Sequence, residues 1–108
     1  MWLFTSHGFL SIVADRDRPD RLLVRGRTRE DVGFFCEAVG DGVPIETPDA
    51  DYRWRVTAPV DLVAWFVQQQ VLQIDYPNFK DAVAGRQGHE RAHTYMGVWS
   101  VMRRLQAG

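Results

Sequence analysis

Residues His89, Glu90 and His93 match the H-E-x-x-H pattern of zinc peptidases. On a helix, two histidines four residues apart share a face and can bind Zn²⁺, while the glutamate acts as general base toward the metal-bound water. A catalytic zinc site needs a third protein ligand, but no aspartate or glutamate follows Glu90. The extended metzincin pattern also fails, because Met96 and Trp99 stand where it requires glycine and histidine. We therefore interpret the match as coincidence and expect no cofactor, with zinc at His89 and His93 as the alternative.

A second group of chemically active side chains surrounds the single lysine, Lys80. Asp75 precedes it by five residues, and a pair of packed helices would bring His93 within reach. Such groups perform acid–base chemistry where burial shifts their pKa values. The structural interpretation, which we favour, is that Asn78 caps a helix here. The candidate catalytic residues of the enzyme alternative are Glu90, Asp75, Lys80 and His93.

Arginines supply a third candidate site. Residues two apart in a strand share a face, so Arg25 and Arg27 lie together on one strand, and Arg53 and Arg55 on another. If these strands are neighbours, four guanidinium groups share one solvent-facing surface and need anions to offset their repulsion. Those anions are either an external acidic partner or the chain's own carboxylates, for which the candidates are Asp15, Asp17, Glu46, Asp49 and Asp51. We predict a binding role for the four arginines, with solvated or internally paired arginines as the alternative.

The same sheet face bears on nucleic-acid binding. Several small RNA-binding domains present cationic and aromatic groups on an open sheet face. Phe9 is the aromatic residue that we expect on this face. Alternation assigns the opposite strand faces to the core, and the residues expected to meet the helices are Leu22, Val24, Tyr52, Trp54 and Val56.

Size and composition restrict the class of protein. The 108 residues form a single domain, 1–108, with 45% hydrophobic and 25% charged residues. A net charge of −1 excludes a protein that coats nucleic acid nonspecifically through a broad cationic surface. No apolar run approaches the roughly 20 residues that span a bilayer, and the single Cys36 forms no internal disulfide. We expect a cytoplasmic protein.

The strands come from the N-terminal half of the chain. Residues 2–14 have strand character, and Gly8 marks a bulge or a turn that splits them. Residues 15–20 form a polar hairpin loop. A second strand covers residues 21–27, and a third covers residues 51–57 after an irregular stretch.

The first two helices have clear boundaries. Thr28 begins a T-x-x-D capping box with Asp31, and Gly40 fits the C′ position. Pro59 suits the first turn of the second helix. Helical spacing directs two sets of residues inward: Val32, Phe35, Cys36 and Val39 in the first helix, and Val63, Phe66, Val67, Val71 and Ile74 in the second.

Two further helices follow. Asn78 starts a short helix that Gly85 ends, and the last helix runs from about 89 to 105. Its inward residues are Ala92, Tyr95, Met96, Trp99 and Met102. We place Trp2, Trp54 and Trp99 in the core, whereas Trp65 falls off its stripe and is a candidate interface residue.

This element order predicts an α+β fold. We expect a small antiparallel sheet of three to four strands, or a mixed one, covered on one face by three to four helices. A ferredoxin-like relative is one form that this layout takes.

Several segments carry a resemblance that spans nearly the whole chain: Met-Trp-Leu-Phe-Thr, Gly-Phe-Leu-Ser-Ile-Val, Leu-Leu-Val-Arg-Gly-Arg, Asp-Tyr-Arg-Trp-Arg, Ile-Asp-Tyr-Pro-Asn-Phe-Lys and Tyr-Met-Gly-Val-Trp-Ser. With them the chain resembles a group of short, uncharacterised bacterial and phage proteins. The resemblance implies a small accessory or regulatory protein more than a metabolic enzyme.

Two functional hypotheses follow. The leading one is a non-enzymatic binding protein that engages an acidic protein or a nucleic-acid backbone through Arg25, Arg27, Arg53 and Arg55, with bacterial defence or phage counter-defence as its setting. The alternative is a small metal-dependent hydrolase or nuclease that uses His89, Glu90 and His93. A homo-oligomer through a sheet edge or Trp65 is compatible with both.

Overall fold

The computed structural model describes residues 1–106 and contains one sheet of five strands with four α-helices. The elements in chain order are β1 (Trp2–Thr5), β2 (Gly8–Ala14), β3 (Arg21–Gly26), α1 (Arg29–Val39), β4 (Ile45–Glu46), β5 (Trp54–Pro59), α2 (Val60–Leu72), α3 (Phe79–Gln87) and α4 (His89–Met102), followed by a 3₁₀ turn, Arg103–Gln106. The predicted α+β class is confirmed, with five strands instead of three or four.

The chain divides into two compact units, Met1–Ile74 and the residues from Asp75 onward. The first unit contains the sheet with α1 and α2. The second contains α3, α4 and the 3₁₀ turn. The interpretation of 1–108 as a single domain stays a prediction.

The sheet is antiparallel throughout, with strand order β1-β2-β3-β5-β4. β3 and β5 are neighbours although α1 and β4 separate them in the chain. Because this pair is antiparallel, the segment differs from the parallel β–α–β units of a ferredoxin-like sheet. β4 lies within the predicted irregular stretch, where a two-residue strand leaves no periodic pattern to detect.

Residues 2–14 are split into two strands at a turn, as predicted: Ser6 and His7 form the turn between β1 and β2, and Gly8 is the first residue of β2. The Thr5 hydroxyl accepts hydrogen bonds from the backbone N–H groups of His7 and Gly8, both at 3.1 Å, and so closes the turn. A Cβ on Gly8 would lie 2.6 Å from Oδ1 of the buried Asp31 on α1. Only glycine therefore lets the hairpin approach this helix so closely.

Helix α1 begins and ends where its capping residues predicted. The Thr28 hydroxyl accepts the N–H of Asp31 at 3.2 Å, and Gly40 ends the helix in the left-handed conformation with φ 68°. Val32 and Phe35 are fully buried, and the Phe35 ring meets the Phe66 ring of α2 edge-on, with centroids 5.0 Å apart. The apolar stripe thus packs α1 on the sheet beside α2.

One face of the sheet carries the core of the first unit. Strand alternation directs Leu10, Ile12, Val24, Val56 and Ala58 against α1 and α2. Trp54 packs at the edge of this cluster, as predicted. The other face bears none of these core residues and is called the open face below.

The second unit is a helical hairpin. Asn78 caps α3, because its side-chain oxygen accepts the N–H of Asp81 at 2.9 Å. The prediction that Gly85 ends this helix is wrong: Gly85 lies inside α3, which continues to Gln87 and stops at Gly88, where φ is 95°. The Phe79 ring stacks on the Tyr95 ring of α4 with centroids 6.1 Å apart.

Several residues that the spacing directed inward are exposed. Val71, in the last turn of α2, and Ile74, which follows the helix, are exposed, whereas Val63 and Phe66 are the buried positions of α2. The same holds for Trp99 and Met102 in α4, where Ala92 and Tyr95 are the buried positions. Trp2 is also exposed, on the open face instead of in the core.

Candidate functional site

The H-E-x-x-H residues lie in the first turns of α4. His89, Glu90 and His93 are all exposed. Across residues 1–106, no group of three His, Cys, Asp or Glu side chains is arranged to hold a metal ion. A metal at His89 and His93 would therefore need ligands from outside this set, and the metal-dependent alternative stays a prediction.

The second candidate group is dispersed in the structure. The Asp75 carboxylate faces the guanidinium of Arg86 at 3.7 Å, and both side chains are well exposed. Lys80 and His93 are exposed as well. These residues form the junction and surface of the helical hairpin.

The arginine group is the one that the structure partly assembles. Arg25 of β3 and Arg55 of β5 are direct cross-strand partners on the open face. Arg27 follows β3 and reaches the same region, where its Nη1 donates to the carbonyl oxygen of Asp51 at 2.6 Å. Arg53 does not join them, because its Nε pairs with Glu46 Oε2 at 2.8 Å. Three of the four predicted arginines therefore form the group.

The hydrogen-bond acceptors of these three arginines are neutral oxygens. Arg25 donates to the Ser11 hydroxyl at 2.8 Å, and Arg55 donates to the Thr47 hydroxyl at 3.1 Å. Within residues 1–106, no carboxylate lies within ion-pairing distance of Arg25, Arg27 or Arg55. Of the five carboxylates considered as internal partners, only Glu46 pairs with one of the four predicted arginines.

Tyr52 organises the group, although the sequence placed it in the core. The guanidinium carbons of Arg25 and Arg27 lie 4.7 and 4.3 Å from its ring centroid. These cation–π contacts bury the ring, which is 5% exposed. The prediction failed because residues 51–53 are bends, so the alternation of β5 does not extend back to Tyr52.

An aromatic cluster adjoins the arginines on the open face. Phe4 is the cross-strand partner of Phe9, and their rings stack with centroids 4.5 Å apart. Trp2 meets Phe9 edge-on at 6.3 Å, and Phe9 lies 6.4 Å from Tyr52. The sequence predicted only Phe9 here. The hairpin register would have added Trp2 and Phe4, because residues at even separations along β1 share a face with their partners on β2.

Arg25 also carries an unsatisfied donor. Its Nε atom is buried and has no hydrogen-bond partner among the described residues. An unpaired buried donor costs about 1–3 kcal/mol, more for a charged group. The fold therefore holds a cation on this face with incomplete compensation.

A shallow groove of about 600 Å³ lies between α1 and the following loop, and Cys36 is part of its lining. Burial, with the nearby Asp41 carboxylate as a second cause, raises the pKa of the Cys36 thiol above its ordinary value of 9.0. A raised pKa reduces the thiolate fraction at neutral pH, so Cys36 lacks the character of a nucleophile.

Comparison with protein-family models, curated proteins and solved structures finds no match to this chain. No helix formed by the described residues has the length and apolar character needed to cross a membrane.

Proposed function

We propose that this protein is a non-enzymatic binding protein that takes an anionic macromolecule on the open face of its sheet. The observation that supports the proposal is the grouping of Arg25, Arg27 and Arg55 around Tyr52 without a carboxylate partner. Arg53, which pairs with Glu46, is left out of the proposed site.

The electrostatics of the group favour an external anion. Three guanidinium groups at close range repel one another, and neutral hydroxyl and carbonyl oxygens offset only part of that cost. An incoming phosphate or carboxylate accepts charge-assisted hydrogen bonds from the planar guanidinium groups. Such hydrogen bonds are about twice as strong as those between neutral groups. Binding of an anion therefore relieves the repulsion that the isolated fold retains.

Four of the five strands carry no negative charge, and the exception is β4, whose Glu46 pairs with Arg53. β1, β2, β3 and β5 contain no aspartate or glutamate, whereas β3 and β5 together contribute Arg21, Arg25 and Arg55. A chain with a net charge of −1 thus presents a local cationic surface. Recognition through this surface is confined to one face, in keeping with the absence of a broad cationic coat.

Retention on immobilised heparin, a polyanion without nucleobases, tests this proposal. We expect the double variant Arg27→Gln/Arg55→Gln to elute at a lower salt concentration than the unmodified protein, because it loses two of the three cations. The matched control is Arg16→Gln/Arg18→Gln, which removes the same charge from the exposed loop at the opposite end of β3. Equal elution of the two double variants, with both folded by circular dichroism, would refute the proposal.

A further inference from the structure

We infer that the anionic partner is a single-stranded nucleic acid, whose bases stack on the aromatic half of the open face while its phosphates meet the arginine half. The inference rests on the proposed function and names the partner class. It depends on a feature that charge alone does not require: an aromatic cluster with an exposed tryptophan adjoins arginines that have no carboxylate partner.

The aromatic half offers a stacking surface. Trp2 is 66% exposed, although it belongs to a regular strand and contacts Phe9. Phe4 and Phe9 beside it are half-buried and stacked on each other. Every nucleobase has a π-face, so rings of this kind bind single strands with little sequence preference.

Continuity between the two halves runs through Tyr52. Its ring lies 6.4 Å from Phe9 on one side and contacts the guanidinium groups of Arg25 and Arg27 on the other. Phe9 lies on β2 and Arg25 lies on the neighbouring strand β3. Neighbouring strands are about 4.8 Å apart, so the aromatic half and the arginine half are one strand spacing apart. A strand of nucleic acid has the same division, since its planar bases and its charged backbone lie side by side.

The alternatives fit less of this surface. The acidic side chains of a peptide would satisfy the arginines but carry no ring that stacks on Trp2. In a duplex the bases are stacked inside the helix and are not available to aromatic side chains. A single strand uses both halves, because its bases can stack on the aromatic rings while its phosphate oxygens accept hydrogen bonds from the arginines.

The test compares two fluorescent strands of equal charge by anisotropy: an oligo(dT) of about 12 nucleotides and an abasic deoxyribose-phosphate strand of the same length. We expect the full-length protein to bind oligo(dT) about tenfold more tightly than the abasic strand, because only the former has bases to stack. Oligo(U) and a poly-glutamate peptide serve as further arms. They distinguish RNA from DNA and nucleic acid from acidic protein.

Variants separate the two halves of the face. Trp2→Ala should weaken oligo(dT) binding about tenfold and leave abasic binding unchanged. Trp2→Phe should retain most of the affinity for oligo(dT), because it keeps an aromatic ring at this position. Trp2 is exposed, so neither replacement should disturb the fold. Trp65→Ala, at an exposed tryptophan on α2, is the matched control and should change neither affinity. Arg27→Gln should weaken the binding of both oligo(dT) and the abasic strand.

The failure of this inference differs from the failure of the proposed function. Equal affinity for oligo(dT) and the abasic strand, with no effect of Trp2→Ala, would overturn the nucleic-acid inference and leave an anion-binding face. Tighter binding of poly-glutamate than of oligo(dT) would overturn it as well, in favour of an acidic protein. Absence of binding to all the strands and to heparin would overturn both.

Discussion

Among single residues, Arg25 has the contacts that most favour the binding of an external anion. Its guanidinium has one hydroxyl acceptor, lies over an aromatic ring, and keeps a buried Nε without a partner. Arg53, by contrast, has a carboxylate partner in Glu46. The incomplete compensation at Arg25 is therefore an observation that favours the proposed binding of an anion on the open face.

The H-E-x-x-H match is a second feature that depends on single residues. His89 and His93 are four residues apart on α4 and exposed, and no third candidate ligand is grouped with them among residues 1–106, so our expectation of no bound zinc stays a prediction. Protein purified without a histidine tag should thus contain no stoichiometric zinc by elemental analysis. Stoichiometric zinc that disappears in His93→Ala would contradict this prediction and revive the hydrolase alternative.

The sequence was sufficient for some residues of the site and not for others. Strand periodicity predicted which face of its own strand each of Arg25 and Arg55 occupies, and the pairing of β3 with β5 brings the two onto one face of the sheet. It could not place Arg53, since the bend at residues 51–53 and the pairing with Glu46 depend on the loop around β4. Local periodicity has no information about such a turn.

At the scale of elements, the segment that leads into β5 shapes the site. The Thr47 hydroxyl connects this segment to β5 by accepting a hydrogen bond from Arg55 Nε. The carbonyl oxygen of Tyr52 accepts a second one from Nη2 of the same arginine, at 3.4 Å. The bend then turns the Tyr52 ring onto the open face, where it supports two guanidinium groups. Elements with capping residues were predicted well, since Thr28, Gly40 and Asn78 act locally, whereas Gly85 misled because helices accommodate glycine at modest cost.

Replacement of Tyr52 tests the role of this segment. Tyr52→Leu should lower the free energy of unfolding by about 2–3 kcal/mol, since it removes a buried ring and two cation–π contacts. It should also reduce the salt concentration at which heparin releases the protein, because the arginines lose their support. Tyr52→Phe keeps the ring and should bind heparin like the unmodified protein. Unchanged heparin elution of folded Tyr52→Leu would show that Tyr52 does not position the arginines.

For the whole molecule, charge is distributed unevenly between the two units. Residues from 75 onward contain five basic and three acidic side chains, and thus a net charge of +2, whereas residues 1–74 have a net charge of −3. The bulk charge would therefore direct an anion to the second unit, in particular to Arg103 and Arg104 after α4. The proposed site instead depends on the local grouping of arginines in the first unit. Net charge and local geometry therefore predict different binding sites for an anion.

The topology explains why the open face was only partly foreseen. Helical patterns predicted that α1 and α2 pack on one side of the sheet, and the buried positions confirm it. The pairing of β3 with β5 across an intervening helix, which makes Arg25 and Arg55 neighbours, is a long-range contact that no local pattern encodes.

Mapping by two-dimensional NMR is the most direct test of the central claim that an anion binds the open face. On titration with oligo(dT), we predict that the largest shifts occur in the Nε–Hε signals of Arg25 and Arg55 and in the backbone amides of β1, β2 and β3. Raising the salt concentration should reverse these shifts, because phosphate contacts compete with free ions. Shifts confined to α4 and to Arg103 and Arg104, with the β3 and β5 signals unchanged, would contradict the account.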